Sequence, residues 1–152
     1  MILMDKVPTI KTIDKANSIY AKYISRLSKF TYSYRNTGQY NKGLLMDIII
    51  EYCLYYKIIH RIPYRDIGRK VGLSTYAIFS YLNNKASIRT YQLIDILRVL
   101  GINIVDIFPE IKTDLNLLYF ICKQLHQTPT ELYLNDKIDS YIEKLRKESI
   151  NL

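Results

Sequence analysis

The stretch Ile62–Lys85, IPYRDIGRKVGLSTYAIFSYLNNK, decides the fold. Pro63 suits the first position of a helix, where its missing N–H costs nothing. Ile67 and Val71 stand four apart and so share one helical face. Gly72 falls where the chain must turn sharply, and glycine tolerates the positive φ such a turn needs. Ser74 is placed to cap a following helix, its hydroxyl accepting an orphan backbone N–H. In that helix Ile78 and Tyr81 or Leu82 point back to a core. Thr75, Tyr76, Phe79 and Ser80 are left facing outward. The stretch thus reads as a short amphipathic helix, a tight turn and a second short helix.

Working outward, helical spacing persists in both directions. Leu44–Ile59 predicts a helix with Leu45, Ile48, Ile49, Tyr52, Cys53 and Tyr56 inward. Upstream of it, Thr31–Gly43 is a polar, tyrosine-rich joint. Residues 12–30 predict a first helix, with an apolar stripe of Ile13, Ala16, Tyr20, Tyr23, Ile24 and Leu27. Lys11, Lys15, Lys22, Arg26 and Lys29 share its other face. That basic face reads as a solvated exterior, or as a stripe that tracks phosphates or lipid. Downstream, Thr90 can cap a helix over Tyr91–Leu100, ended by Gly101, and Asn103 a short turn over Ile104–Phe108. Leu115, Leu118, Ile121, Cys122 and Leu125 form a further stripe. Thr128-Pro129-Thr130-Glu131 is a capping box with proline at the first helical position. Ile138, Tyr141, Ile142 and Leu145 give a seam on a charged helix.

The chain has 152 residues, 49% of them hydrophobic, which is ample for a packed core. Its formal charge is +8. Residues 1–43 contribute +6, residues 44–111 +2 and residues 112–152 zero. A basic balance suggests a polyanionic partner. The predicted division is a basic helical extension at 1–43, a central domain at 44–111 and a C-terminal helical extension at 112–152. Cys53 and Cys122 each lie in an apolar helical pattern and read as buried free thiols of a reducing compartment. No cysteine or histidine spacing suits a metal, and no apolar run reaches membrane-spanning length. Met1–Ile10 lacks the apolar core of a secretory signal. A cytoplasmic protein without cofactor or metal is expected. No nucleophile–base pair or glycine-rich phosphate loop is present, so an enzyme is not expected.

Residues 45–111 resemble the Cro/C1-type helix-turn-helix family, the lambda-repressor-like or XRE fold. The resemblance rests on an ordered set: Ile67, Val71, Gly72-Leu73-Ser74, Ile78, Asn83-Asn84-Lys85, then Tyr91–Ile102 with Gly101, and Ile104–Phe108. It implies an all-α protein whose centre is a five-helix DNA-binding domain, flanked by the basic helix and the C-terminal extension. It further implies that Ser74, Thr75, Tyr76, Phe79 and Ser80 face base edges. Tyr64, Arg65, Asn83, Lys85 and Arg89 would lie near phosphates. Lys15, Lys22, Arg26 and Lys29 form a possible accessory phosphate stripe. Two positions depart from the family: Tyr64 stands where glutamine is frequent, and Phe79 where an acidic or small residue is frequent. The outward face also lacks the Arg, Asn and Gln side chains that make bidentate base contacts.

The function so implied is a sequence-specific regulator of bacterial, phage or mobile-element type, a repressor that binds double-stranded DNA as a homodimer. The dimer contact would come from the Ile138–Leu145 seam or the 115–125 stripe. The alternative is a protein-binding module on the same scaffold, in the manner of an antitoxin or a phage-encoded inhibitor of host machinery. Membrane association through residues 12–30 is disfavoured, because Tyr and Ala on the apolar face more naturally close a core.

Overall fold

The computed structural model describes residues 9–38 and 42–132, together with Glu143 and Lys147. All regular structure among them is helical. The chain divides into two compact units, Met1–Leu100 and Gly101–Leu152. The boundaries expected from the sequence lay at 43/44 and 111/112. The first unit instead takes in the N-terminal helix and ends with the helix before Gly101.

Helix α1 spans Ile10–Thr37 and is capped by Thr9, whose hydroxyl accepts from the Thr12 amide at 3.1 Å. It runs past the expected end at residue 30. The supposed joint supplies its last turns, because the polar residues there bond the helix's own carbonyls. Asn36 donates to the Tyr32 carbonyl at 2.7 Å and Thr37 to that of Ser33 at 2.8 Å. Gly38, at φ 66°, then closes the helix. The buried seam of α1 is Ala16, Tyr23 and Phe30, a spacing of seven. Ile13, Tyr20 and Ile24, expected inside, each remain 40% exposed. A single neighbouring helix covers only a narrow strip of α1, too narrow for the whole apolar face.

That neighbour is α2, Lys42–Ile59, which runs antiparallel to α1. Tyr20 packs on Tyr55 with ring centroids 4.8 Å apart, and Tyr23 meets Tyr52 edge-on at 5.2 Å. No residue from Leu44 to Ile59 is fully exposed, since α1 lies on one side and α4 and α5 on others. A helix apolar nearly all round is the sequence form such a central position demands.

Helix α3 spans Tyr64–Val71 and α4 spans Thr75–Leu82. Pro63 is the extended residue before α3, at ψ 145°, one position earlier than the sequence suggested. Gly72 takes φ 77° and ends α3 as expected, and Ser74 caps α4 by accepting from the Ala77 amide at 3.0 Å. Gly68 sits inside α3, where a Cβ would stand 2.5 Å from the Leu73 carbonyl oxygen. The backbones on either side of the turn therefore approach closely, and only glycine fits there. Helix α5, Thr90–Leu100, buries Leu93, Ile94, Ile96, Leu97 and Leu100 and completes the unit. It begins at Thr90 itself, with the Arg89 amide donating to the Gln92 side chain at 3.1 Å.

In the second unit Gly101 takes φ 71°, and α6 covers Ile104–Ile107. The Asp106 carboxylate accepts from the Asn103 amide at 3.1 Å. A 3-10 turn at Pro109–Lys112 leads to α7, Leu115–Leu125, and α8, Pro129–Leu132. The capping box expected at α8 is formed: the Thr128 amide donates to Glu131 at 2.9 Å and the Glu131 amide to Thr128 at 3.2 Å. Leu115, Leu118, Ile121, Cys122 and Leu125 are all buried, with the 3-10 turn and α8 packed on α7. That stripe is spent inside this chain and corrects the expectation that it could hold a second copy. The Ile138–Leu145 seam lies outside the described residues. No helix among the described residues is long and apolar enough to cross a membrane.

Candidate nucleic-acid interface

The outer side of α3 and α4 carries most of the residues singled out by the sequence. Thr75 and Tyr76 are exposed, Tyr76 to 76%. Phe79 is half-buried and lies one turn beyond them on the same face. Ser80 is only 6% exposed, so its expected base-facing position is corrected. It follows Phe79 by one residue and is carried about 100° round the helix, away from Ile78, to a side of α4 that is also covered. Ser74 is exposed, but its hydroxyl oxygen is engaged in the cap.

Phe79 belongs to a ladder in which two rings stand between two cations. The Lys57 ammonium stands 3.9 Å from the centroid of the Tyr64 ring. Tyr64 meets Phe79 at 5.5 Å and 86°, an edge-to-face contact favoured by the ring quadrupoles. The Lys85 ammonium closes the other end, 5.0 Å from the Phe79 centroid. Tyr76 flanks Phe79 at 6.4 Å. One side chain ties the rows together: the Asn83 amide nitrogen donates to the Tyr64 hydroxyl at 3.0 Å and to the Phe79 carbonyl at 2.9 Å. Asn83 therefore braces α4 against the start of α3. It also lines, with Asn84, Lys22 and Arg26, a cavity of about 410 Å³ on the α1–α2 side.

Lys57 was not among the residues taken from the sequence. Its signal was there: it is the one lysine or arginine between Gly43 and Ile59. Burial, and then the charge of Lys15, pull the Lys57 ammonium below the ordinary lysine range. Arg65 is exposed at 71%, with Asp66 3.9 Å away, and Lys85 and Arg89 are exposed.

The accessory stripe divides. Lys15, Lys22 and Lys29 are exposed. Arg26 is not available, because it pairs with Asp47 at 2.7 Å and with Glu51 at 3.0 Å. It is the member of the stripe that forms ion pairs with the acidic residues of α2. Burial lifts the Glu51 carboxyl above the ordinary range, only partly countered by Arg26 and Lys22. Its second oxygen is buried without a hydrogen-bond donor.

The two thiols carry no comparable chemistry. Cys53 is fully buried and its thiol is pushed far up by loss of solvent. Cys122 is pushed up to about 12, chiefly for the same reason. Neither forms thiolate near neutral pH, the form that attacks or binds metal. No group of three or more metal-ligating side chains occurs among the described residues. Comparison of the chain with family models, curated proteins and solved structures gives no match.

Proposed function

We propose that this chain is a sequence-specific, double-stranded-DNA-binding regulator with a lambda-repressor-like helix-turn-helix domain, acting in the cytoplasm as a repressor of bacterial, phage or mobile-element type. The observation that carries the reading is the α3–Gly72–α4 unit. It presents Thr75, Tyr76 and Phe79 between cations at Lys57, Arg65, Lys85 and Arg89. An α-helix of this size fits the major groove, and flanking cations hold phosphates on either side. The exposed face offers a hydroxyl and two rings, with no bidentate donor. It can contact thymine methyls and single base acceptors, and much of its selectivity comes from DNA shape. The test is a fluorescence-anisotropy titration of duplex DNA from upstream of its own gene against a scrambled duplex, at two salt concentrations. Preference for the native duplex, lost in Thr75→Ala/Tyr76→Ala, supports the reading. Equal binding of both duplexes counts against it.

A second reading, a protein-binding module on the same scaffold, is favoured by one feature. Tyr76 at 76% exposure beside Phe79 is the kind of aromatic pair that anchors protein interfaces. In that case the Tyr76→Ala variant loses a partner protein and leaves the weak, salt-sensitive affinity for DNA unchanged.

A further inference from the structure

Lys22 and Arg26 stand four apart on α1, and Asp47, Ile50, Glu51 and Leu54 fall on one face of α2 at helical steps. With Asn83 at the end of α4 they wall the cavity of about 410 Å³. A water's share of liquid volume is about 30 Å³, so the space suits an organic molecule of about ten non-hydrogen atoms with some solvent. The wall carries both signs of charge, and neither is fully matched. One guanidinium serves two carboxylates: Arg26 lies 2.7 Å from Asp47 Oδ2 and 3.0 Å from Glu51 Oε1. Asp47 Oδ1 accepts no hydrogen bond among the described residues, and Glu51 Oε2 is buried without a donor. Lys22 is exposed and forms no ion pair among the described residues. Ile50 and Leu54 make part of the wall apolar. We propose that this cavity binds a free α-amino acid with an apolar side chain, its ammonium on Asp47, its carboxylate on Lys22 and its side chain on Ile50 and Leu54.

Charge selects this class of ligand. A simple anion such as phosphate would face Asp47 and Glu51, and a simple amine would face Lys22 and Arg26, so each is repelled by half of the wall. An uncharged apolar molecule would take water from charged groups and offer them nothing in return. A zwitterion meets each sign with its opposite through charge-assisted hydrogen bonds. The site also touches the ladder, because Asn83 lines the cavity while donating to the Tyr64 hydroxyl and the Phe79 carbonyl. An occupant that draws the Asn83 side chain toward itself loosens the hold of α4 on the start of α3. Resting on the DNA-binding reading above, the amino acid is then an effector that lowers affinity for DNA.

The site is tested first without DNA. Isothermal titration of the full chain with L-valine, L-leucine, L-isoleucine, L-methionine and L-phenylalanine should show at least one binding with a Kd below about 1 mM. The amide of the tightest binder lacks the carboxylate, and its deaminated acid lacks the ammonium; each should bind at least about tenfold more weakly, the worth of one charged hydrogen bond. Lys22→Gln and Asp47→Asn should weaken the parent amino acid to a similar degree, and Asp47→Asn keeps an acceptor for Arg26. Failure of all five amino acids to bind overturns the proposal. So does binding that is indifferent to both analogues, or that is unchanged in both variants and so lies elsewhere. If Asp47→Asn loses helicity by circular dichroism, Lys22→Gln, an exposed position, decides the matter. An anisotropy titration of DNA with and without the bound amino acid then tests the effector role, which a DNA affinity unchanged by the amino acid overturns. A chain that binds the amino acid but no DNA sinks the DNA-binding reading and leaves the site standing.

Discussion

Asn83 donates to the Tyr64 hydroxyl at 3.0 Å across nineteen residues of sequence, fastening the end of one short helix to the start of another. A tyrosine here acts as a hydrogen-bond acceptor for its neighbour and as a ring for Phe79 and Lys57 at once. Phenylalanine keeps the ring contacts and removes the acceptor. Tyr64→Phe should therefore cost about 1 kcal/mol in urea denaturation, the net worth of a hydrogen bond. Asn83→Ala, which loses both side-chain bonds and keeps the backbone cap, should cost more. Equal stability of Tyr64→Phe and wild type would show that the bond is not maintained in solution.

Gly68→Ala tests the close approach at the turn. Alanine is favoured over glycine in a helix by about 1 kcal/mol. Here its Cβ would meet the Leu73 carbonyl oxygen at 2.5 Å, and backbone cannot swing aside as a flexible side chain can. The expected outcome is net destabilisation of about 1–3 kcal/mol, read as a lower denaturation midpoint. A stabilised variant would mean that α3 and the turn stand farther apart.

Arg26 and Lys15 should separate stability from binding. Arg26 is held by two carboxylates, so Arg26→Ala should lower stability by about 1–2 kcal/mol, less than a fully buried pair would because the guanidinium is partly solvated. It should leave the salt dependence of DNA binding unchanged. Lys15→Gln should do the reverse, reducing the slope of log K against log salt by about 0.9 if it neutralises one phosphate. Titrations at several salt concentrations, with denaturation curves alongside, distinguish the two.

Glu51 sets a pH dependence. Its carboxyl is raised in the folded state by burial, so the folded chain holds that proton more tightly than the unfolded chain. Its contribution is greatest below the unfolded glutamate pKa and is lost as pH rises through the folded value. Glu51→Gln retains an acceptor for Arg26 and removes the titration. The variant should gain stability relative to wild type as pH rises from 4 to 7. A difference that stays flat across that interval would show that Glu51 ionises as it does in the open chain.

Ser80→Ala should leave DNA affinity within about twofold, since the side chain is interior, whereas Thr75→Ala and Tyr76→Ala should each weaken it about fivefold to tenfold, on the scale of about 1–1.4 kcal/mol for a lost contact. Anisotropy titrations of the three variants on one duplex make the comparison.

The sequence alone determined the local events. Gly72 in the left-handed region, the Ser74 cap, the Thr128–Glu131 box and the Leu115–Leu125 stripe are each set by residues within a few positions of one another, so short-range sterics and hydrogen bonding decide them. The helical character of the chain follows from apolar spacing in the same way. Tertiary structure decided what depends on neighbours distant in sequence. Whether Arg26 faces solvent or Asp47 and which apolar residues of α1 are covered turn on where α2 lies, and whether Ser80 is inside or outside turns on what packs against α4. The ladder from Lys57 to Lys85 spans three helices, and no local pattern encodes it. Periodicity tells which residues share a face. Only packing tells which of two apolar faces is buried, because burial is a property of the pair of surfaces and not of either one.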